Sequence, residues 1–394
     1  MLAAGQQSPG GADLARSTSA HQARALVLLS RFSAGRRIRF DWMIHGVVAP
    51  GFEFVRETFG RCFLEWGETG AEFVALADGR TVADLWGGAG FQRRSLVHVY
   101  SVTKPMSAFC VLVLVDRGVI GLEDRMVRYW PEFGQAGKGA VTVRQALSHQ
   151  AGLVALRDPQ PLEVLFDWDR ACALLAAEPP WFRPGAAHAE HALFYGHLCG
   201  ELVRRTDGRS LGAFWRDEVA LPWGLDFHIG TGEQEQLRVV DLAGEIPERE
   251  GELYRLATSN PPGLLDLRVV NGRAWRAAEI PAVNGHGTAE AVARFYAGLL
   301  NGGESDGVRL VSREIVEAMT AGERTARDLL LEEEVTWGLG VGVDLDGYGM
   351  GGLGGSVGLG DPKLGLAEAY VTRQMGTHDR ADAMDAAVRA ALAS

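Results

Sequence analysis

The chain has 394 residues, 47% of them apolar, and a formal net charge of −11. That length allows a large core and, at about 150 residues per domain, two or three folding lobes; the acidic balance leaves no basic footprint for nucleic acid or anionic lipid, so a small molecule is the expected partner. Cys62, Cys110, Cys172 and Cys199 lack C-x-x-C spacing and read as reduced, buried thiols, and no apolar run approaches the roughly 18 to 20 residues of a membrane span, so the expected location is cytoplasmic.

Residues 1–42 are rich in Ala, Ser, Gly and Arg and read as a loose extension with one short helix. From residue 43 the pattern becomes globular. "FEFVRETFGRCFLEW" has the period of an amphipathic helix, and "EFVALADGRTVADLWGG" reads as a hairpin turning at Asp78-Gly79. After Pro105, "MSAFCVLVLVDRG" is apolar all round and stops at Gly118, which predicts a buried helix with Ser101 at its N-terminus. "TVRQALSHQAGL", "DWDRACALLAAE", "ALFYGHLCGELVRR" and "SLGAFWRDEVALPW" continue in helical period, with Thr142 and Asp167 as N-caps. "NGHGTAEAVARFYAGLLNGG" is a further capped helix, followed by a glycine-rich, strand-like stretch and a closing helix, "ADAMDAAVRAALA". The expected fold is α/β (α+β): one sheet built from residues 43–100 and 300–394, with a mostly helical lobe, 101–299, inserted between them.

Lysine is scarce. The only lysines are Lys104, Lys138 and Lys363, and arginine, which cannot give up its proton, supplies nearly all other positive charge. Ser101 and Lys104 are three positions apart, so on a helix they share a face and bring Oγ and Nζ within reach. The helix N-terminus adds donors that favour an oxyanion and disfavour charge on the lysine. Tyr100 before the pair and Pro105 after it mark the turn into the apolar helix.

In "SVTK", "VTVRQALSHQAGL", "RPGAAHAEHALFYGHLCGELV" and "GMGGLGGSVGLGDP", the sequence resembles the serine β-lactamase and penicillin-binding superfamily, in its class C-like and family VIII carboxylesterase branch. The resemblance covers nearly everything after residue 43. It implies an antiparallel sheet flanked by N- and C-terminal helices, with Ser101 acylated and Lys104 its base. It also implies a tyrosine five residues after a Pro-Gly and a lysine or histidine on a late strand. Those two positions differ: after Pro184-Gly185 the tyrosine position is Glu190, and the late-strand position is Met350. A carboxylate beside Lys104 stabilises the ammonium, so the two are expected to titrate as a pair. Met350 has only a weak acceptor and cannot hold a substrate carboxylate, which argues against β-lactam hydrolysis. The N–H of Leu353 is expected to pair with that of Ser101 as an oxyanion hole, with Gly352, Met350, Tyr100, His191 and Tyr195 as further substrate-side candidates. Tyr195 also reads as a core tyrosine of the helix that follows.

Other patterns are weaker. Gly354-x-Ser356-x-Gly358, followed by Asp361 and His378, formally matches a nucleophile elbow, but Gly and Pro stand where its helix should begin. His188, Glu190 and His191 lack metal-ligand spacing, and His149 and His286 read as histidines satisfying nearby backbone. "GMGGLGG" lacks the following Lys-Ser/Thr of a phosphate loop. No metal or cofactor is called for. Three functions stay open: a serine hydrolase or acyltransferase forming a Ser101 acyl-enzyme; a biosynthetic enzyme running cyclisation, elimination or isomerisation through Glu190; and a non-catalytic binding protein derived from this fold.

Overall fold

The computed structural model describes residues 44–247 and 249–394; the extension expected at 1–42 lies outside the described residues. The main sheet comprises β1 (Ile44–Val48), β2 (Gly70–Ala77) and β3 (Arg80–Gly88) from the start of the chain. It is completed by β9 (Arg324–Arg327), β10 (Glu334–Trp337), β11 (Gly342–Val343), β12 (Tyr348–Gly351), β13 (Val357–Asp361) and β14 (Leu366–Thr372). The order is β1-β3-β2-β14-β13-β12-β11-β10-β9, antiparallel throughout. The two ends of the chain meet where β14 pairs with β2, Tyr370 opposite Phe73. The β2–β3 hairpin turns at Asp78-Gly79, both at positive φ, as an Asp-Gly turn requires.

Side chains alternate across β2 and sort into two cores. Ala71, Phe73 and Ala75 pack under α1 (Glu53–Glu65) and the C-terminal helix Asp379–Leu392, against Val55, Phe59, Met384 and Val388. Val74 and Leu76 face the opposite way, into the larger core shared with α2 (Lys104–Asp116). Both faces are covered, so this central strand needs no polar outer side. Every residue of α2 from Lys104 to Leu114 is buried, and the chain leaves the helix through Gly118 at φ +70°. The Thr142 and Asp167 caps form, Thr142 as half of a reciprocal box with Gln145.

The inserted lobe carries α3 (Tyr195–Asp207), α4 (Glu252–Ser259) and further helices, among them Trp168–Ala177. It is not purely helical. A second sheet orders β4 (Val97–His98), β6 (Gly285–Gly287) and β5 (Phe227–Ile229), and β7 (Glu304–Ser305) with β8 (Val308–Arg309) forms a hairpin. These strands have two or three residues each, too few to show a period of two. The boundary expected at 299 falls inside α5 (Ala289–Leu300), whose Val292 and Tyr296 pack against Gly358 of β13, so the return to the sheet begins earlier. Among the described residues no helix is long and apolar enough to cross a membrane.

One buried carboxyl ties α5 to the sheet. Glu72 of β2 accepts from the Ala289 amide at 2.8 Å, while its other oxygen has no partner among the described residues. Burial pushes its pKa up to about 8, against the opposing pull of that amide. A carboxyl whose folded pKa is raised stabilises the fold below its ordinary pKa, and this contribution fades as pH rises through the folded value. Wild type is therefore expected to lose melting temperature between about pH 4.5 and 8 more steeply than Glu72→Gln; parallel profiles would contradict this reading.

Candidate active site

Ser101 opens one turn of 3-10 helix, Ser101–Thr103, which runs directly into α2 at Lys104. Lys104 Nζ lies 2.7 Å from Ser101 Oγ, 2.9 Å from Glu190 Oε1 and 3.4 Å from the carbonyl oxygen of Ala282. Glu190 sits in the loop leading into α3, and Ala282 in the loop leading into β6. The Ala282 carbonyl reaches the lysine because α3 presents Gly196 to this loop: a Cβ there would stand 2.3 Å from the Ala282 nitrogen.

Lys104 has no exposed side-chain surface, whereas Glu190 retains 11%; proton exchange with solvent therefore runs through the carboxylate end. Burial lowers the Lys104 pKa below the ordinary amine value, and the Glu190 charge opposes that shift. Hydrogen counting shows what the arrangement permits. An ammonium donates to all three neighbours. A neutral amine donates to Glu190 and Ala282 and accepts the Ser101 hydroxyl proton on its lone pair. One geometry thus serves both charge states, and a proton can pass from Oγ through Nζ to the carboxylate without heavy-atom rearrangement.

The residue before the serine is strained. Tyr100 has φ +47° and ψ −127°, a region that bulky residues occupy only when their surroundings fix them. Thr103 Oγ1 donates to the Tyr100 carbonyl at 2.6 Å and accepts from the Gly285 amide at 2.9 Å. The Tyr100 hydroxyl donates to the Leu264 carbonyl, and its ring meets His98 edge-on at 4.3 Å. Three neighbouring elements therefore hold the turn that presents Ser101.

The end of β12 closes against this turn. A Cβ on Gly352 would stand 2.2 Å from the Val99 carbonyl oxygen, so only glycine allows the approach. Gly352 donates to Ser356, and its carbonyl lies 3.1 Å from His378 Nε2. Among the described residues the Leu353 amide donates to no protein acceptor, and the Ser101 amide belongs to a first helical turn, where N–H groups lack intrahelical partners. Met350 is buried on β12, opposite Gly358.

Two candidates lie elsewhere. Tyr195 is fully buried and donates to the Leu147 carbonyl at 3.0 Å, so its hydroxyl does not serve Ser101. His191 is also fully buried, with neither ring nitrogen partnered among the described residues; burial and the Lys104 charge hold it neutral, with a pKa of about 3. It packs 5.2 Å from His149, whose Nδ1 accepts from the His191 amide. His191 is therefore an internal neighbour of the lysine rather than a substrate-side group. Ser356 accepts from the Thr372 amide within the sheet and Asp361 pairs with Arg389, so the elbow pattern has no triad behind it. Among the described residues no group of three or more His, Cys, Asp or Glu is placed to hold a metal ion.

The Ala282 carbonyl and the Thr103–Gly285 brace were missed from sequence. Backbone groups leave no residue-type signal, and the threonine inside "SVTK" was the only available hint.

Comparison with known proteins shows the family. The family model described as Beta-lactamase matches residues 61–393. The esterase/beta-lactamase LipL of Mycobacterium tuberculosis is 34% identical over 370 residues, covering 87% of this chain and 84% of that protein. Among solved structures, a family VIII carboxylesterase superposes with a TM-score of 0.82 at 38% identity, covering 88% of this chain and 99% of the other. A penicillin-binding protein homologue from Caulobacter crescentus superposes equally well, at 37% identity with the same coverage. With the fold, the order of its motifs and the extent of these matches in agreement, the chain belongs to the beta-lactamase family, among relatives that include esterases.

Proposed function

We propose that the protein is a serine hydrolase or acyltransferase acting on a small-molecule ester, thioester or amide through an acyl-enzyme on Ser101. The observation that carries this reading is the continuous contact from Ser101 Oγ through Lys104 Nζ to Glu190 Oε1, at 2.7 and 2.9 Å. Oγ attacks the substrate carbonyl as its proton passes to Nζ and on to the carboxylate, and the oxyanion is met by the amides of Ser101 and Leu353. The leaving group departs with a proton, and water or an acceptor alcohol then releases the acyl group by the same path in reverse. Met350 offers no cation, so an acyl part without a carboxylate suits the site better than a β-lactam does. The names of the relatives, esterase/beta-lactamase and family VIII carboxylesterase, point to the same chemistry.

A fluorophosphonate probe, read by intact mass, tests the nucleophile. Wild type is expected to gain one adduct and Ser101→Ala none. Equal labelling of both proteins, or of neither, would reject an activated Ser101, and turnover surviving Ser101→Ala would move the chemistry to Glu190.

A further inference from the structure

His149 satisfies nearby backbone, as its loop context predicts, and the backbone it holds is that of Glu190. The residue follows the helix Val143–Leu147, is fully buried, and has φ +60°, a left-handed conformation that His and Asn adopt more readily than most side chains. In that conformation both of its acceptors turn to one loop. Its carbonyl accepts from the Ala189 amide at 3.1 Å, and its Nδ1 accepts from the His191 amide at 3.1 Å. A single residue therefore grips the chain on each side of Glu190, in a stretch that belongs to no helix or strand. The next tethers lie outside this grip: the His188 carbonyl accepts from the Leu329 amide, and the His191 carbonyl from the Tyr195 amide. The imidazole is fixed in turn, 4.7 Å from the Tyr195 ring and edge-on to Trp337 at 4.4 Å, and Nε2 has no partner among the described residues.

We propose that His149 is a positioning residue for the reaction: by holding the amides of Ala189 and His191, it fixes the Glu190 carboxylate on Lys104. The inference rests on the acyl-enzyme reading above, in which that carboxylate takes the serine proton. Glu190 Oε1 meets Lys104 Nζ at 2.9 Å from a loop, and a loop side chain keeps such a contact only when hydrogen bonds behind it lock its backbone. The task requires a ring that accepts at Nδ1, which only a neutral imidazole does. Burial foremost, then His191 and the Lys104 charge, hold the His149 pKa well below the ordinary imidazole value. The one ring hydrogen bond goes to the His191 amide, so His149 acts through Glu190 and not on the substrate.

Two substitutions separate the acceptor from the ring. His149→Phe fills the place of the ring without an acceptor, whereas His149→Asn loses the ring, keeps an acceptor oxygen at the Nδ1 position and tolerates the positive φ. Melting temperatures verify the folds; should His149→Phe fail to fold, His149→Ala, which also lacks the acceptor, replaces it. In His149→Phe, kcat on one ester is expected to fall by about 10- to 100-fold, the scale for a reacting group misplaced by about an ångström, while KM stays nearly constant. His149→Asn is expected to recover most of that loss. In the Glu190→Gln background the same change to Phe is expected to cost less than about 3-fold, because residues that act through one group do not add. Where Glu190→Gln is impaired, equal losses in both backgrounds, no loss at all, or a loss in His149→Asn as large as in His149→Phe would overturn the assignment. If Glu190→Gln keeps its full kcat, the reading of Glu190 as proton acceptor is what fails. The assignment then stands only if His149→Phe moves the acid limb of kcat/KM to lower pH as Glu190→Gln does, since a displaced carboxylate and a missing one deprive the lysine of the same charge. Wild type that neither labels at Ser101 nor turns over any ester would overturn both.

Discussion

Lys104→Met is expected to lower kcat by about 10²- to 10⁴-fold, the range for losing a proton-transfer group, and to lower the unfolding free energy by about 3–5 kcal/mol. The two effects have separable origins. The catalytic loss follows from removing a group that touches both Ser101 Oγ and Glu190 Oε1. The stability loss follows from leaving a mostly buried carboxylate without its cation. Pairing two charges in the interior roughly offsets the cost of desolvating them, whereas removing one partner exposes that cost in full. In Lys104→Met/Glu190→Leu, stability is therefore expected to return most of the way toward wild type, and activity is not. Urea unfolding of the two single variants and the double variant, beside wild type, measures the coupling. Additive stability losses would show that the pair is not coupled, and recovered activity in the double variant would remove both residues from the chemistry.

How far this site could be read in advance depended on distance along the chain. Ser101 and Lys104 were legible because i,i+3 spacing at the start of an apolar stretch is local geometry. The β2–β3 hairpin was legible for the same reason, since Asp78-Gly79 states its own turn. Glu190 was reached only through a motif offset from Pro184-Gly185; no local pattern brings it to Lys104, and the contact depends on how the loop before α3 packs. The three-stranded sheet was missed because its strands are too short to show alternation.

The scarcity of lysine drew attention to Lys104 as a proton-transfer group; Lys138, equally rare, is fully buried and donates to the carbonyls of Gln135, Ala176 and Glu178. Two of its three donors, to Ala176 and Glu178, cap the end of the helix Trp168–Ala177, a task that suits a compact ammonium better than a planar guanidinium. What distinguishes Lys104 is its company: a hydroxyl, a carboxylate and one carbonyl, rather than three carbonyls. Scarcity pointed to special positions, and only the partners separated a structural lysine from the one beside the nucleophile.

Glu190→Gln then decides which member of the pair ends the proton path. Glutamine keeps the volume and offers an amide oxygen to Lys104 Nζ, but it cannot accept a proton. If the carboxylate is the terminal acceptor, kcat is expected to fall by about 10²- to 10⁴-fold across the whole pH range. The alternative has an opposite signature. Burial lowers the Lys104 pKa and the Glu190 charge raises it, so removing that charge leaves the downward influence unopposed and the amine is neutral at lower pH than before. Were Lys104 sufficient as the base, Glu190→Gln would keep its activity and its acid limb would move to lower pH. A pH profile of kcat/KM for wild type and Glu190→Gln, measured on one ester, separates the two. A pH-independent loss assigns the carboxylate a direct part in the chemistry, and a shifted but undiminished profile reduces it to a partner that tunes the lysine.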